Sequence, residues 1–316
     1  MKRVLVTNLI MQRDAHLFEN ELREADIELE AYPVKQFLLE EELLPMIGQY
    51  DGMIAGDDQL TARVLEASQP RLKVISKWGV GLDSIDLKAA ERIGIKVFNS
   101  PGAFGEAVAE TCIGYLLMLS RHLHHVDREV RQGNWIKPEG EGLIGKTLGV
   151  VGFGAIGRGI AARAKACGMN IMANDVRMDE MDEEPGIRFG QLDELLADAD
   201  YLCLACNLTP ENRHMIDSET LPRMKPTASL VNVGRGPLVD EEALVAALES
   251  GKLAGAALDV YEVEPLPTES PLTRMSNVVL GSHNANNLKL ANEAVNKNSI
   301  RNLIKGLQSQ SRSRAA

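Results

Sequence analysis

The residues best suited to chemistry gather in the second half of the chain. Gly152, Gly154 and Gly157 in GVVGFGAIGRGIAARAKACG form the pattern G-x-G-x-x-G. It follows an apolar run and opens a helical one, the context in which the pattern binds a dinucleotide. Gly152 permits a tight turn, Gly154 lets the backbone approach a pyrophosphate, and Gly157 lets helix and strand pack closely. The helix starting there offers unpaired N–H groups and a favourable dipole to phosphates. Asp175 stands 18 residues after Gly157, at the end of the next apolar run. A carboxylate there accepts hydrogen bonds from both adenosine ribose hydroxyls and repels a 2′-phosphate, so NAD is expected rather than NADP. Arg177, two residues on, is the one charge that pulls the other way.

Three further polar residues end apolar runs: Arg235 in SLVNVGRGPLVDEEAL, Glu264 in ALDVYEVEPLP and His283 in NVVLGSHNANN. Open α/β sheets bind ligands at the carboxyl ends of their strands. The glycines around Arg235 allow a tight turn that exposes the guanidinium, whose fork can hold a carboxylate. A histidine exchanges protons near neutral pH, and a neighbouring carboxylate orients its ring and favours the protonated form. Taken singly, each residue has a plainer reading: a turn arginine, a solvated loop charge, a strand-end cap.

The elements that must position these groups follow from periodicity. In the first hundred residues VLVTN, IELEAYP, GMIA, KVIS and KVF read as strands, with AHLFENELREA, EELLPMIGQY, TARVLEAS and LKAAERIG as helices between them. That alternation implies a parallel sheet with helices on both faces. A helix is expected from Phe104 to His125, apolar nearly all round at CIGYLLML and so buried on more than one side. A second alternation then begins: KTLGVVG, MNIMAND, YLCLA, ASLVNV, LAGAALDV and VVLGS as strands, IGRGIAARAKACG, QLDELLAD and DEEALVAALESG as helices. A last helix is expected from Asn287 to Gln308, with the polar end SQSRSRAA frayed. The chain is thus expected to be α/β, with two doubly wound parallel-sheet domains.

Composition bounds the function. The charge sum of −11 argues against a general nucleic-acid or anionic-membrane binder. No apolar run approaches the roughly 20 residues that span a bilayer, and the N-terminus enters a strand with no signal peptide. Four cysteines make no disulfide framework, and a cytoplasmic location is expected. Cys203 and Cys206 form a CxxC, read as small residues on a buried strand rather than a redox pair or half a zinc site. His122, His124 and His125 read as a polar helix end, although His122 and His125 would share a face. The run DVRMDEMDEEPG reads as a solvated acidic loop, so no metal site is expected. Trp78 stands at either a site rim or in packing.

The sequence resembles the D-isomer-specific 2-hydroxyacid dehydrogenases, and most of all their phosphoglycerate dehydrogenase-like members. The resemblance runs from about Val4 to Leu307, through WGVGLDSIDLKAAERIGIKVFNSPG, AVAETCIGYLLMLSR, GKTLGVVGFGAIGRGIA, NLTPENRHMID, LVNVGRGPLVDEEALVAAL, AALDVYEVEP and GSHNAN. It implies a Rossmann NAD-binding domain over 99–286 and a smaller, flavodoxin-like substrate domain built from 1–98 plus 287–316. It implies hydride transfer between NAD and C2 of a small 2-hydroxy or 2-oxo acid. Arg235 would bind the substrate carboxylate and polarise the keto oxygen, and Glu264 would pair with His283 as general acid–base. Asp259 would hold the nicotinamide carboxamide; Asn207, Thr209, Val233, Gly234 and Thr111 would line the cofactor, with Ala155 and Ile156 at the pyrophosphate. Lys77, Val80 and Gly81 would contact substrate, and the 104–123 helix would form a homodimer.

The chain also departs from the family's pattern. Asn207 stands where proline is usual and Lys77 where arginine is common. Gly56-Asp57-Asp58 replaces a loop in which phosphoglycerate-type members tend to carry an arginine, which argues against a phosphate there. The 33 residues after His283 are too few for an appended regulatory domain. Asn284 and Asn286 either line a polar substrate pocket or cap the last helix. Glu264 speaks against a formate-type enzyme, which needs glutamine near the histidine. The alternative from another class is a non-catalytic NAD-sensing interaction protein of the same fold.

Overall fold

Each apolar run of the first hundred residues becomes a strand of one parallel sheet. These are β1 (Lys2–Val6), β2 (Ile27–Ala31), β3 (Gly52–Ala55), β4 (Val74–Lys77) and β5 (Lys96–Phe98), in the order β2-β1-β3-β4-β5. A computed structural model describes residues 1–180 and 184–313. Strands β3 and β4 are buried along their whole length, as they must be with helices on both faces. The helices are α1 (Leu9–Asp14), α2 (Glu19–Glu24), α3 (Glu40–Leu43), α4 (Ala62–Ala67) and α5 (Leu87–Ile93). A terminal helix, Lys289–Ser313, packs on β3 and β4. There Leu303 is buried, and Ser76 donates to the Ser299 carbonyl at 2.9 Å. Met1–Ala103 and the chain from Leu288 on form one compact unit, around Leu5, Leu43, Met53, Leu65 and Ile75.

The second unit, Phe104–Asn287, holds a seven-stranded parallel sheet. Its strands are β6 (Thr147–Val151), β7 (Asn170–Asn174), β8 (Ile187–Phe189), β9 (Tyr201–Leu204), β10 (Ser229–Asn232), β11 (Gly255–Leu258) and β12 (Val278–Leu280). Their order is β12-β11-β10-β9-β6-β7-β8. Succession therefore reverses between β6 and β9, where a doubly wound sheet opens a crevice for ligands. The expected pair of doubly wound sheets is present. The helices here are α6 (Gly105–Arg121), α7 (Leu123–Arg131), α8 (Ala155–Ala166), α9 (Leu192–Asp198) and α10 (Glu241–Glu249). Small residues let α6 lie close to α8: a Cβ on Gly159 would stand 3.0 Å from the Ala109 methyl. No helix among the described residues is long and apolar enough to cross a membrane.

Several expected elements differ. The helix expected over EELLPMIGQY stops at Leu43, because Pro45 cannot continue it; a 3₁₀ turn follows at Ile47–Gln49. AHLFENELREA divides into a 3₁₀ turn, Ala15–Phe18, and α2, and α1 precedes it unforeseen. The helix expected from Phe104 to His125 ends at Arg121: His122 adopts a left-handed φ of 52° and α7 starts afresh. α6 is buried on the side bearing Val108, Cys112, Tyr115 and Leu119, while Glu106, Glu110 and Leu117 are exposed. Strand β8 was not expected, since Arg188 breaks its apolar run; Phe189 holds it by an edge-on contact with Phe153 at 5.3 Å. The terminal helix runs on to Ser313, past the point where fraying was expected. Of the acidic run DVRMDEMDEEPG, positions 181–183 lie outside the described residues.

Candidate active site

The glycine loop joins β6 to α8. Gly152 takes a left-handed φ of 92°, and a Cβ on it would stand 2.5 Å from the Cys206 nitrogen, so only glycine makes this turn beneath the loop after β9. A Cβ on Gly157 would strike the Gly152 carbonyl oxygen at 2.1 Å. Gly154 differs: a Cβ there would meet nothing within 4 Å. It is the exposed N-cap of α8 and supplies no side-chain cap; Ala155 beside it is exposed and Ile156 half-buried. Asp175 follows β7, and its carboxylate accepts the Phe153 N–H at 2.8 Å and the Arg177 N–H at 3.0 Å. The Arg177 side chain stays 3.8 Å from that carboxylate and is mostly exposed. An open helix N-terminus over glycine, with a fixed carboxylate at the next strand end, fits a dinucleotide whose ribose carries free hydroxyls.

Two loops farther along the sheet meet at glycine. Arg235 follows β10 with Gly234 and Gly236 on either side. Neither glycine has a positive φ; both are there for close approach instead of for the tight turn expected. A Cβ on Gly236 would overlap the Tyr261 carbonyl at 1.9 Å, and one on Gly234 would stand 2.9 Å from the Cys206 oxygen. The Arg235 loop is thus wedged between the loops that follow β9 and β11. Asn232 clasps it: its side chain donates to the Arg235 carbonyl at 2.9 Å and accepts the Gly234 N–H at 3.1 Å. The Arg235 guanidinium donates to the Gly234 carbonyl at 3.0 Å, and Val233 is buried beside it.

Glu264 and His283 come together across 19 residues of chain. The Glu264 carboxylate accepts the Tyr261 N–H at 3.0 Å through one oxygen and lies 2.7 Å from His283 Nδ1 through the other. With a carboxylate as partner, Nδ1 carries a proton, which fixes the tautomer and turns Nε2 toward proton exchange. Both side chains are largely buried. His283 itself sits at a φ of 55°. Asp259 grips this strained loop at three successive residues: its carbonyl accepts the His283 N–H at 2.7 Å, and its carboxylate accepts the Asn284 and Ala285 N–H groups at 3.1 and 2.9 Å. From α6, the Tyr115 hydroxyl donates to the same carboxylate at 3.0 Å. Burial, with the Asp259 charge beside it, pushes the Tyr115 hydroxyl well above the usual phenol range. Thr111, one turn earlier, lies 3.3 Å from the Ala285 carbonyl.

The remaining candidates are placed as follows. Asn207 and Thr209 are exposed in the loop after β9, which Asn212 closes by donating to the Asn207 carbonyl at 2.8 Å and accepting the Thr209 N–H at 2.7 Å. In the first unit, Lys77 is buried and its ammonium donates to Asp57 at 2.9 Å. Val80 and Gly81 are half-buried, with the Val80 carbonyl accepting from Asn99 at 2.7 Å. Asp58 is buried, accepts from the Thr7 hydroxyl and the Leu38 N–H, and is pushed up by burial. Trp78 is packed inside, its indole N–H donating to Asn296 at 2.7 Å. Asn284 builds a turn, accepting from the Asn287 side chain at 2.8 Å.

Of the cysteines, Cys206 lies in the loop that backs Gly152 and Gly234. The Cys203 thiol lies 3.4 Å from Cys112, not Cys206, and that contact together with burial raises it far above the usual thiol range. Burial pushes Cys206 up to about 11. His122 breaks the helix with its left-handed backbone, and His124 faces the Met118 and Ser276 carbonyls. Among the described residues no three His, Cys, Asp or Glu side chains group as metal ligands. Sequence reasoning missed Asn232, Asn212, Tyr115 and Tyr261. Asn232 carries an available signal, because Asn beside a Gly-rich turn commonly closes it with its side chain.

The family model of the D-isomer-specific 2-hydroxyacid dehydrogenase NAD-binding domain matches residues 113–285. A glyoxylate reductase of Korarchaeum cryptofilum is 39% identical over 292 residues, 90% of this chain and 86% of that protein. A hydroxypyruvate reductase of Thermotoga maritima is 39% identical over 254 residues, 78% of this chain and 82% of that one. The crystal structure of D-lactate dehydrogenase from Aquifex aeolicus, complexed with NAD and lactic acid, superposes with a TM-score of 0.82 at 29% identity, covering 98% of both chains. These relatives are reductases and dehydrogenases, which disfavours the non-catalytic alternative. The chain belongs to the D-isomer-specific 2-hydroxyacid dehydrogenase family and is an NAD-dependent oxidoreductase of small 2-hydroxy and 2-oxo acids.

Proposed function

We propose that this enzyme reduces a small 2-oxo acid with an uncharged tail, of the glyoxylate or hydroxypyruvate kind, using Arg235, Glu264 and His283, and that it works as a cytoplasmic homodimer. The observation that carries the proposal is the 2.7 Å bond between His283 Nδ1 and Glu264. Bound NADH supplies the hydride to C2. The His283 imidazolium, kept charged by Glu264, gives its Nε2 proton to the oxygen that becomes the hydroxyl. Arg235 holds the substrate carboxylate with its fork and polarises the carbonyl. Gly154, Ala155 and Ile156 take the pyrophosphate, Asp175 takes the adenosine ribose, and Asp259, Thr111, Asn207, Thr209, Val233 and Gly234 line the rest of the cofactor.

The tail is argued from the first unit. Lys77 is the cation that the family resemblance offers to substrate, and Asp57 already matches its charge at 2.9 Å. Asp58, which feels both groups, adds a second carboxylate. A phosphate tail needs unmatched cations, so this neighbourhood disfavours it. The relatives named for glyoxylate and hydroxypyruvate support this reading, while a relative named D-3-phosphoglycerate dehydrogenase, 41% identical over 254 residues, makes the phosphorylated acid the competitor to test. The test is a substrate panel with NADH. Glyoxylate or hydroxypyruvate is expected to exceed both 3-phosphohydroxypyruvate and a branched 2-oxo acid by at least ~10-fold in kcat/KM. A preference for the phosphorylated acid would overturn the tail assignment. The homodimer is supported by exposed apolar side chains near α6 and α7, among them Leu117, Leu123 and Trp135.

A further inference from the structure

Tyr115 belongs to no part of the expected constellation. It sits on the buried face of α6, where tyrosine reads as one more apolar residue, yet its hydroxyl reaches the Asp259 carboxylate at 3.0 Å. That carboxylate is itself buried and holds two backbone N–H groups of the loop that carries His283. The structure has made room for the hydroxyl. A Cβ on Gly281 would stand 2.2 Å from the tyrosine oxygen and 2.4 Å from the Asp259 oxygen that receives it. Gly281 also lies two residues before His283. Thr111, four residues before Tyr115 and so on the same helix face, lies 3.3 Å from the carbonyl of the loop's third residue, Ala285.

We propose that Tyr115 is a positioning residue: its hydroxyl fixes the Asp259 carboxylate, which holds the His283 loop so that the ring stays bonded to Glu264. The proposal rests on the acid–base role given to His283 above. Three features make the chain of contacts consequential. His283 is a non-glycine residue at a φ of 55°, a conformation that persists only where its surroundings impose it. The imposing contacts are the three N–H groups that Asp259 accepts. Tyr115 shares the carboxylate oxygen that accepts the Asn284 N–H, so without the hydroxyl that oxygen keeps one weaker anchor and the carboxylate can turn.

The test uses Tyr115→Phe in the full-length enzyme with NADH and the best 2-oxo acid of the panel. Removing one charge-assisted hydrogen bond is expected to lower kcat by about 10-fold. KM for the acid is expected to stay within about twofold of the parent, because the ring and its packing remain. The pH profile carries the decision. As the bond to Glu264 loosens, the imidazolium loses stabilisation and its pKa falls. Reduction needs the protonated ring, so the rate is expected to fall off at lower pH than in the parent. Tyr50→Phe is the control: it removes another tyrosine–carboxylate contact, to Glu30 at 3.3 Å, and is expected to leave kcat and the profile unchanged. Gly281→Ala is the second arm. Its Cβ would strike the Tyr115 and Asp259 oxygens together and drive the pair apart with both side chains left unsubstituted, and the same loss and the same downward shift are expected. A parent-like pH profile in either folded variant, even with reduced kcat, overturns the positioning role and leaves Tyr115 as packing. An unchanged kcat in His283→Ala would instead remove the acid–base reading on which the proposal rests.

Discussion

At the scale of single residues, the site is an exercise in holding charged groups where water would rather have them. The Glu264 carboxylate is held at one oxygen by the Tyr261 N–H and at the other by His283. Glu264→Gln keeps the shape and deletes the charge. Losing the anion lowers the imidazolium pKa, so the reductive rate is expected to fall off at lower pH than in the parent, with kcat reduced. A pH–rate profile for the variant checks this, and an unshifted acidic group would show that Glu264 does not act on His283. Arg235, Glu264 and His283 stand out in the sequence because each polar group interrupts or ends an apolar run, and the structure brings the last two together. Tyr115 was not legible there: a hydroxyl that meets a carboxylate 144 residues away looks, in one dimension, like any aromatic on an apolar face. Nor was the purpose of Gly236, whose missing side chain matters only because Tyr261 lies against it.

Elements set the distances that the residues use. The loop between β6 and α8 shows how little freedom such a junction has. Gly157→Ala would place a Cβ 2.1 Å from the Gly152 carbonyl oxygen, and backbone must move to relieve it. The variant is expected to weaken NADH binding by about 10-fold or more, the displaced N–H groups being those proposed to meet the pyrophosphate. Titration of nucleotide fluorescence measures this, and an unchanged Kd would mean that the cofactor does not depend on this turn. Alternating apolar and helical segments made the elements legible, and most strands fall within a residue or two of expectation. The failures have local causes. Pro45 stops a helix that its flanking leucines suggest should continue. His122 breaks α6 through a left-handed backbone that no side-chain pattern announces. β8 exists because a sheet edge and Phe153 accept it, not because three residues prefer to be extended.

At the scale of the whole molecule, two parallel sheets each bring their strand ends to a reversal of order, between β1 and β3 in one unit and between β6 and β9 in the other. The alternation of elements made the fold class legible; the order of strands came only with the structure and with the family resemblance. The homodimer proposal is checked by sedimentation, where about twice 34.5 kDa is expected and a monomer at working concentration would contradict it. The central claim, that His283 oriented by Glu264 moves the proton while NAD moves the hydride, has a more direct test. NADH consumption with glyoxylate and hydroxypyruvate is followed for the parent and for His283→Ala, with NADH affinity measured separately. The expected result is turnover in the parent and a loss of roughly 100- to 10,000-fold in kcat for the variant with NADH binding intact. Turnover within a few-fold of the parent would contradict the claim and leave His283 a structural residue.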